Sequence, residues 1–267
     1  QINTPLIGMI GRNQSNDPKP VLNNPRSSVT ESFRNIRADM SYLSPNKEHL
    51  TILFTSSISG EGKTFASVNM ASVYSLLGKK TLLVGLDLRK PKIAEEFGLI
   101  NDKGMSTCLS MNMPWRDVVK QTKYENLDII LSGPIPPNPS ELLMSEAMGE
   151  MIAELKTKYD YIVLDTPPVG LVSDALELAH FCDATLYVTR QGYTKKGMLS
   201  VVNDKHKRGE LHNISVVFNG FQNKAKYGYG YGYGYGYGYG AYGEAYHDEV
   251  QPKSGWRKIL DKFKKNS

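Results

Sequence analysis

Apolar residues fall into two alternating patterns along this chain. Short β-branched and aliphatic runs stand at 50–54, 81–86, 127–131, 160–164, 184–189 and 214–218. Stretches with helical spacing follow most of them, near 64–77, 140–158, 173–181 and 195–208. Runs that are apolar on both sides of a strand are expected where a sheet is covered by helices on both faces. The predicted fold is therefore α/β, a doubly wound, mainly parallel sheet. Ahead of it, Val29, Phe33, Ile36, Met40 and Leu43 recur at intervals of three and four, which predicts a helix over Ser27–Leu43 with Arg34 and Arg37 on its opposite face. Residues 1–25 are rich in Asn and Pro and read as a linker, in which Pro5–Ile10 could form an edge strand.

Composition changes abruptly after Lys226: residues 227–246 hold nine of the sixteen tyrosines, in near-strict alternation with glycine. Such a segment has no aliphatic residues to bury and a high entropic cost of ordering, so it is expected to be disordered in isolation. Beyond it, Trp256, Ile259, Leu260 and Phe263 could line a short basic helix suited to a membrane surface or a partner, although a frayed end is the plainer expectation for so short a segment. The chain thus divides into a linker (1–25), a main domain (26–226), a tyrosine cluster (227–246) and a basic tail (247–267).

Charge and cysteine content narrow the field. The formal charge is +5, and residues 247–267 carry six Lys or Arg against three Asp or Glu, so the bulk charge gives no argument for nucleic acid. Cys108 and Cys182 are far apart, with no neighbours at metal-ligand spacing, and are expected to be reduced thiols. No apolar run approaches the ~18 residues of a membrane span, so the chain is expected to be soluble and intracellular. Opening at Gln1 rather than methionine, it is expected to be processed or cut from something longer.

Three segments carry candidate chemistry. Phe54–Thr64 (FTSSISGEGKT) stands between a predicted strand and a predicted helix, as a Walker A loop does. Ser59, Gly60, Glu61, Gly62, Lys63, Thr64 and Phe65 would surround phosphate with backbone N–H groups, Lys63 would meet the β- and γ-phosphates, and Thr64 would face Mg²⁺. Ser57 stands where the general pattern has its first glycine. Tyr161–Asp165 (YIVLD) ends an apolar strand in an acid, as a Walker B strand does, at the sheet edge where α/β proteins bind ligands. Leu82–Pro91 (LLVGLDLRKP) again ends a strand in an acid, Asp87, followed by Arg89 and Lys90. Taken alone, either Asp could simply cap a helix or bind a loop amide.

In this order the three motifs resemble the Walker A, A′ and B set of the bacterial tyrosine kinases, P-loop proteins unrelated to eukaryotic kinases. The likeness extends from about residue 5 to 246. It includes Glu31-Ser32-Phe33-Arg34-Asn35-Ile36-Arg37, similar to the family's Glu-x-x-Arg-x-x-Arg motif, the stretch Gly133–Leu143 and the tyrosine cluster. Nothing matches the eukaryotic His-Arg-Asp or Asp-Phe-Gly signatures.

The resemblance implies an ATP- and Mg²⁺-dependent protein-tyrosine kinase on a P-loop fold. Lys63 and Thr64 would hold phosphates and metal, Asp87 and Asp165 would organise the metal and the attacking tyrosine, and Asn219 would contact adenine. Arg89 and Lys90 would couple the site to a neighbouring protein or subunit, and Glu31, Arg34 and Arg37 would join subunits into a ring. The phosphoacceptors would be Tyr227, Tyr229, Tyr231, Tyr233, Tyr235, Tyr237, Tyr239, Tyr242 and Tyr246, modified from one subunit to the next. The family further implies a cytoplasmic domain attached to, or working beside, a transmembrane polysaccharide co-polymerase, a regulatory role in capsule or exopolysaccharide export, and an opposing tyrosine phosphatase. One departure stands out: the family's A′ motif reads Asp-x-Asp, its first Asp proposed as the base, and here that position is Gly85. Asp87 could take over.

Two rivals remain at this stage. Partitioning ATPases of the MinD and ParA kind share the three-motif layout, but they carry a lysine near the start of the loop where this chain has Ile58. Alternatively, Gly85 could mark a catalytically weak scaffold whose Gly-Tyr tail is a sticky low-complexity binding segment.

Overall fold

The computed structural model describes residues 4–43, 47, 49–211 and 213–222. The tyrosine cluster and the basic C-terminal segment, with all nine expected phosphoacceptors, lie outside the described residues.

Eight strands form one sheet: β1 (Leu6–Gly11), β2 (Leu50–Ser56), β3 (Thr81–Gly85), β4 (Val119–Gln121), β5 (Leu127–Ile130), β6 (Tyr161–Asp165), β7 (Ala184–Arg190) and β8 (Ile214–Phe221). They lie in the order β1-β8-β7-β2-β6-β3-β5-β4, and every pairing is parallel except β4 with β5. The N-terminal apolar stretch is indeed an edge strand, joined to β8.

Nine helices among the described residues connect the strands: α1 (Pro20–Asn23), α2 (Ser28–Leu43), α3 (Lys63–Ser75), α4 (Ile93–Phe97), α5 (Met105–Met111), α6 (Pro139–Leu143), α7 (Glu146–Lys156), α8 (Asp174–Ala179) and α9 (Leu199–Lys207). Alternation along the strands separates two cores. Ile52 and Phe54 of β2 point to one face, where Phe33, Ile36 and Met40 of α2 and Ala66, Met70 and Val73 of α3 are buried. Leu53 points to the other, packed with Met148 and Ile152 of α7, Leu178 of α8 and Val202 of α9. The doubly wound sheet expected from the apolar runs is therefore present, with α1–α4 on one side and α5–α9 on the other.

Where sequence and structure differ, the elements are short. The stretch 140–158 is two helices rather than one, because Ser145 takes an extended conformation (φ −67°, ψ 151°) between α6 and α7. The segments α1, α4, α5 and β4 show no full period of apolar spacing in the sequence and are fixed by what they pack on. Val21 of α1, for example, is fully buried, with its N–H donated to Asn69 Oδ1 (3.2 Å).

Candidate active site

The three motifs meet at the C-terminal edge of the parallel strands, because the register of the central strands brings them there. Phe54 of β2 and Gly85 of β3 both pair with Asp165 of β6. From that edge the chain runs off β2 into the loop Ser57–Gly62 and then into α3, whose first intrahelical bond runs from Ala66 N–H to Gly62 O (2.9 Å). The amides of Lys63, Thr64 and Phe65 precede that bond and lie at the positive end of the helix, the arrangement that receives anions.

Two glycines shape the loop. Gly60 and Gly62 have φ of +92° and +96°, a region side chains rarely adopt. Space adds to the requirement: a Cβ on Gly62 would lie 2.1 Å from Asn219 Nδ2, and one on Gly60 would lie 2.6 Å from the Tyr193 hydroxyl. Ser57, by contrast, needs no such freedom. Its hydroxyl accepts a hydrogen bond from the fully buried Tyr187 (2.9 Å), which accounts for a serine where the general pattern has glycine.

Acids and bases converge beyond the loop. Thr64 Oγ1 donates to Asp165 Oδ2 (2.8 Å), and Lys63 Nζ lies 4.0 Å from Asp87 Oδ2. Asp87 Oδ1 accepts the Lys90 N–H (3.0 Å), so the loop after β3 turns back on its own carboxylate. Asp165 is buried, and its Oδ1 has no hydrogen-bond partner among the described residues; the neighbouring Ser67 hydroxyl turns instead to Thr64 O (3.0 Å). Burial pushes the Asp165 carboxyl up to about 6, against the pull of Lys63 and the Thr64 hydrogen bond, with the charge of Asp87 adding to the rise. A buried carboxylate oxygen without a donor, beside a hydroxyl and a second carboxylate, fits a hard cation that keeps part of its water shell, as Mg²⁺ does. Thr64, Asp87 and Asp165 are the residues that would hold it, directly or through water.

Several other expected site residues are used inside the protein. The Glu61 side chain is fully buried: its carboxylate accepts the Ile58 N–H (2.8 Å) and the Thr194 hydroxyl, so Glu61 faces a ligand through its backbone alone. Asn219 Nδ2 donates to Glu61 O (2.9 Å) and braces the loop from β8. Arg89 reaches Asp174 (3.0 Å) and Ser140 (2.8 Å), tying the loop after β3 to the starts of α6 and α8, while the Lys90 side chain is exposed. Glu31 and Arg34 form an ion pair within α2, and Arg37 has no ion-pair partner among the described residues.

The sequence reading missed the turn after β7. Arg190 donates to Gly60 O (2.9 Å), the Tyr193 hydroxyl to Ser59 O (2.9 Å), and Thr194 to the Glu61 carboxylate. With Asn219, this turn grips three consecutive residues of the phosphate loop. These partners lie about 130 residues from the loop and have no motif of their own, so no local signal could have found them.

The position of Gly85 is tightly packed rather than open. A Cβ there would lie 2.8 Å from Ser132 Oγ, 3.1 Å from Ser132 N and 3.4 Å from Ile93 Cδ1. A side chain here would require the Ser132 hydroxyl to turn away and the Ser132 backbone to give by a few tenths of an ångström.

Comparison with known proteins agrees with this geometry. A family described as an AAA domain matches residues 50–206. The chain is 34% identical over 196 residues to the tyrosine-protein kinase YwqD of Bacillus subtilis, covering 73% of this chain and 83% of YwqD. It is 36% identical over 167 residues to the tyrosine-protein kinase Wzc of Salmonella typhi, covering 62% of this chain but only 23% of Wzc. The solved kinase domain of the Escherichia coli tyrosine kinase ETK superimposes with a TM-score of 0.78 at 27% identity, over 86% of this chain and 95% of that one. A chain that aligns with most of YwqD and nearly all of the ETK kinase domain, and that gathers Lys63, Thr64, Asp87 and Asp165 at one sheet edge, belongs to the bacterial tyrosine kinases and is a protein-tyrosine kinase domain.

Proposed function

We propose that this kinase transfers the γ-phosphoryl group of Mg·ATP to the tyrosines of its own cluster, Tyr227–Tyr246, from one copy to the next within an oligomer. The observation that carries the proposal is the convergence of a braced phosphate loop with Asp87, the one carboxylate of the site that is partly open to solvent. Asp165 is sealed and bonded to Thr64, and position 85 is a glycine with no acid to offer. By elimination Asp87 takes the proton. Phosphoryl transfer depends mainly on positioning and charge stabilisation, which a single carboxylate beside Lys63 can serve.

In the step itself a tyrosine oxygen bonds to Pγ, the bond from Pγ to the bridging oxygen breaks, and ADP leaves. Lys63 and the amides at the start of α3 stabilise the charge on the phosphates, and Asp87 holds the proton released by the hydroxyl. Thr64, Asp87 and Asp165 would hold a divalent cation, directly or through water, and that cation would further neutralise the phosphate oxygens. Tethered to the neighbouring subunit, the tyrosine segment reaches the site at a high effective concentration. Each phosphate adds roughly −1.5 to −2 charges, so a heavily modified cluster repels its neighbours and disperses the assembly.

Resemblance to the family supports the wider setting: a cytoplasmic kinase domain attached to or beside a membrane co-polymerase, acting in capsule or exopolysaccharide assembly and reversed by a tyrosine phosphatase. None of the helices in the described residues is long and apolar enough to cross a membrane. Glycine at position 85, where the family has an acid, favours a second reading, a slow kinase acting chiefly as a scaffold.

Mass spectrometry of the purified full chain, before and after Mg·ATP, tests these readings alongside Lys63→Met. Phosphate on Tyr227–Tyr246 in the parent and none in the variant is the expected result. Full labelling of Lys63→Met sinks the proposed role of the loop. Hydrolysis of ATP with no labelling points instead to an ATPase switch, and labelling slower than the assembly cycle to the scaffold.

A further inference from the structure

The turn that grips the phosphate loop contains a tyrosine, in a protein whose chemistry modifies tyrosine. The Tyr193 side chain is 45% exposed, and its neighbours Gly192 and Lys195 are exposed as well. Its hydroxyl is spent on one bond, donated to Ser59 O (2.9 Å). The Arg190 guanidinium lies over its ring, 5.4 Å from the centroid, while donating to Gly60 O. Tyr42 is also exposed, but it lies on α2 and is not bonded to the loop; Tyr187 touches Ser57 but is fully buried.

We propose that Tyr193 is a self-phosphorylation site whose modification loosens the phosphate loop and limits the kinase. The proposal rests on transfer between copies, as described above. In the step, the Tyr193 oxygen bonds to Pγ of an ATP held by a second copy, ADP departs, and the hydroxyl proton passes to that copy's Asp87. The product can no longer donate to Ser59 O. It also sets a dianion against that carbonyl and beside the position of the nucleotide phosphates, and like charge drives the ring outward. Outside, the new phosphate meets Arg190, which already lies over the ring, on a turn that continues into the exposed Lys195 and Lys196. Charge-assisted pairing with the phosphate draws Arg190 off Gly60 O, so one modification removes two of the bonds that shape the loop.

The test uses full-length protein, first stripped by a tyrosine phosphatase and then incubated with Mg·ATP. Phosphopeptides are mapped over time, and ADP affinity is measured by calorimetry before and after incubation. The expected result is phosphate on Tyr193 and ADP binding at least tenfold weaker in the modified fraction. Tyr193→Phe keeps the ring and loses the bond to Ser59; about two- to tenfold weaker ADP binding is expected at the outset, with no further change on incubation. A labelled cluster with Tyr193 unmodified overturns this inference and leaves the proposed function standing. Phosphate on Tyr193 with unchanged ADP affinity overturns the switch, as does a Tyr193→Phe protein whose affinity still falls on incubation. Absence of phosphate from both Tyr193 and the cluster overturns both readings.

Discussion

Thr64 Oγ1 donates to one oxygen of the Asp165 carboxylate, while the other oxygen is buried with no hydrogen-bond donor among the described residues. Asp165 is thus ionised at a cost in the metal-free protein. Burial raises its folded-state value to about 6 from the 3.8 of an ordinary aspartate, so the folded chain binds a proton more tightly than the unfolded chain between those limits. Stability therefore falls as pH rises from about 4 to about 6 and stays lower above that. Asp165→Asn is expected to raise metal-free stability at pH 7 by roughly 1–3 kcal/mol and to flatten this pH dependence, while abolishing kinase activity. Urea unfolding at pH 4.5 and 7.5 checks the sign; an unchanged slope in the variant sinks the assignment.

Gly85 is packed against Ser132, so restoring the family's acid should not restore a base. Gly85→Asp is expected to destabilise by about 1–3 kcal/mol through overpacking and to leave the labelling rate no higher than that of the parent. Adding Ser132→Gly should recover part of the melting temperature. A faster kinase from Gly85→Asp alone would show that the strand yields more readily than its contacts indicate.

Arg89 has an internal task. Its guanidinium faces Asp174, whose side chain is fully buried, and Ser140 bonds to the same carboxylate (2.8 Å). Arg89→Ala leaves that carboxylate short of its cation, which should cost about 1–3 kcal/mol and loosen the loop that carries Asp87. A double-mutant cycle with Asp174→Asn should return a coupling energy of the same order. Additive effects would assign Arg89 to an external partner instead.

Within α2, Glu31 already occupies Arg34, whereas Arg37 has no ion-pair partner among the described residues. If this helix joins subunits, Arg37→Ala should weaken assembly more than Arg34→Ala, and the double variant should sediment as a monomer. An oligomer untouched by the double variant removes α2 from the interface.

Most of the fold was legible because its strands are buried on both faces: runs such as Ile52–Phe54 and Ile162–Leu164 can hardly be anything else. Long amphipathic α2 announced itself in the same way. The short elements α1, α4, α5 and β4 escaped, since β4 is an antiparallel edge and α1, α4 and α5 take their shape from the core they cover. The site divided along a similar line. Lys63, Thr64, Asp87 and Asp165, which the structure brings together, could be singled out because each sits near a strand end or a helix start with a local signature. The roles of Glu61, Asn219 and the Arg190–Thr194 turn depend on contacts across well over a hundred residues, which only folding reveals. Gly85 was legible as a departure, but its cause, the Ser132 side chain, was not.

The grip of residues 190–194 on the loop bears on how the nucleotide arrives. Carbonyls at Ser59, Gly60 and Glu61 are pinned by the fold itself, so the amides that face phosphate are already aimed when a ligand approaches. Ordering the loop is completed during folding, and little conformational freedom remains to be lost on association. Nucleotide capture should therefore follow a single kinetic phase whose rate rises linearly with ligand concentration, with no slow isomerisation after the encounter.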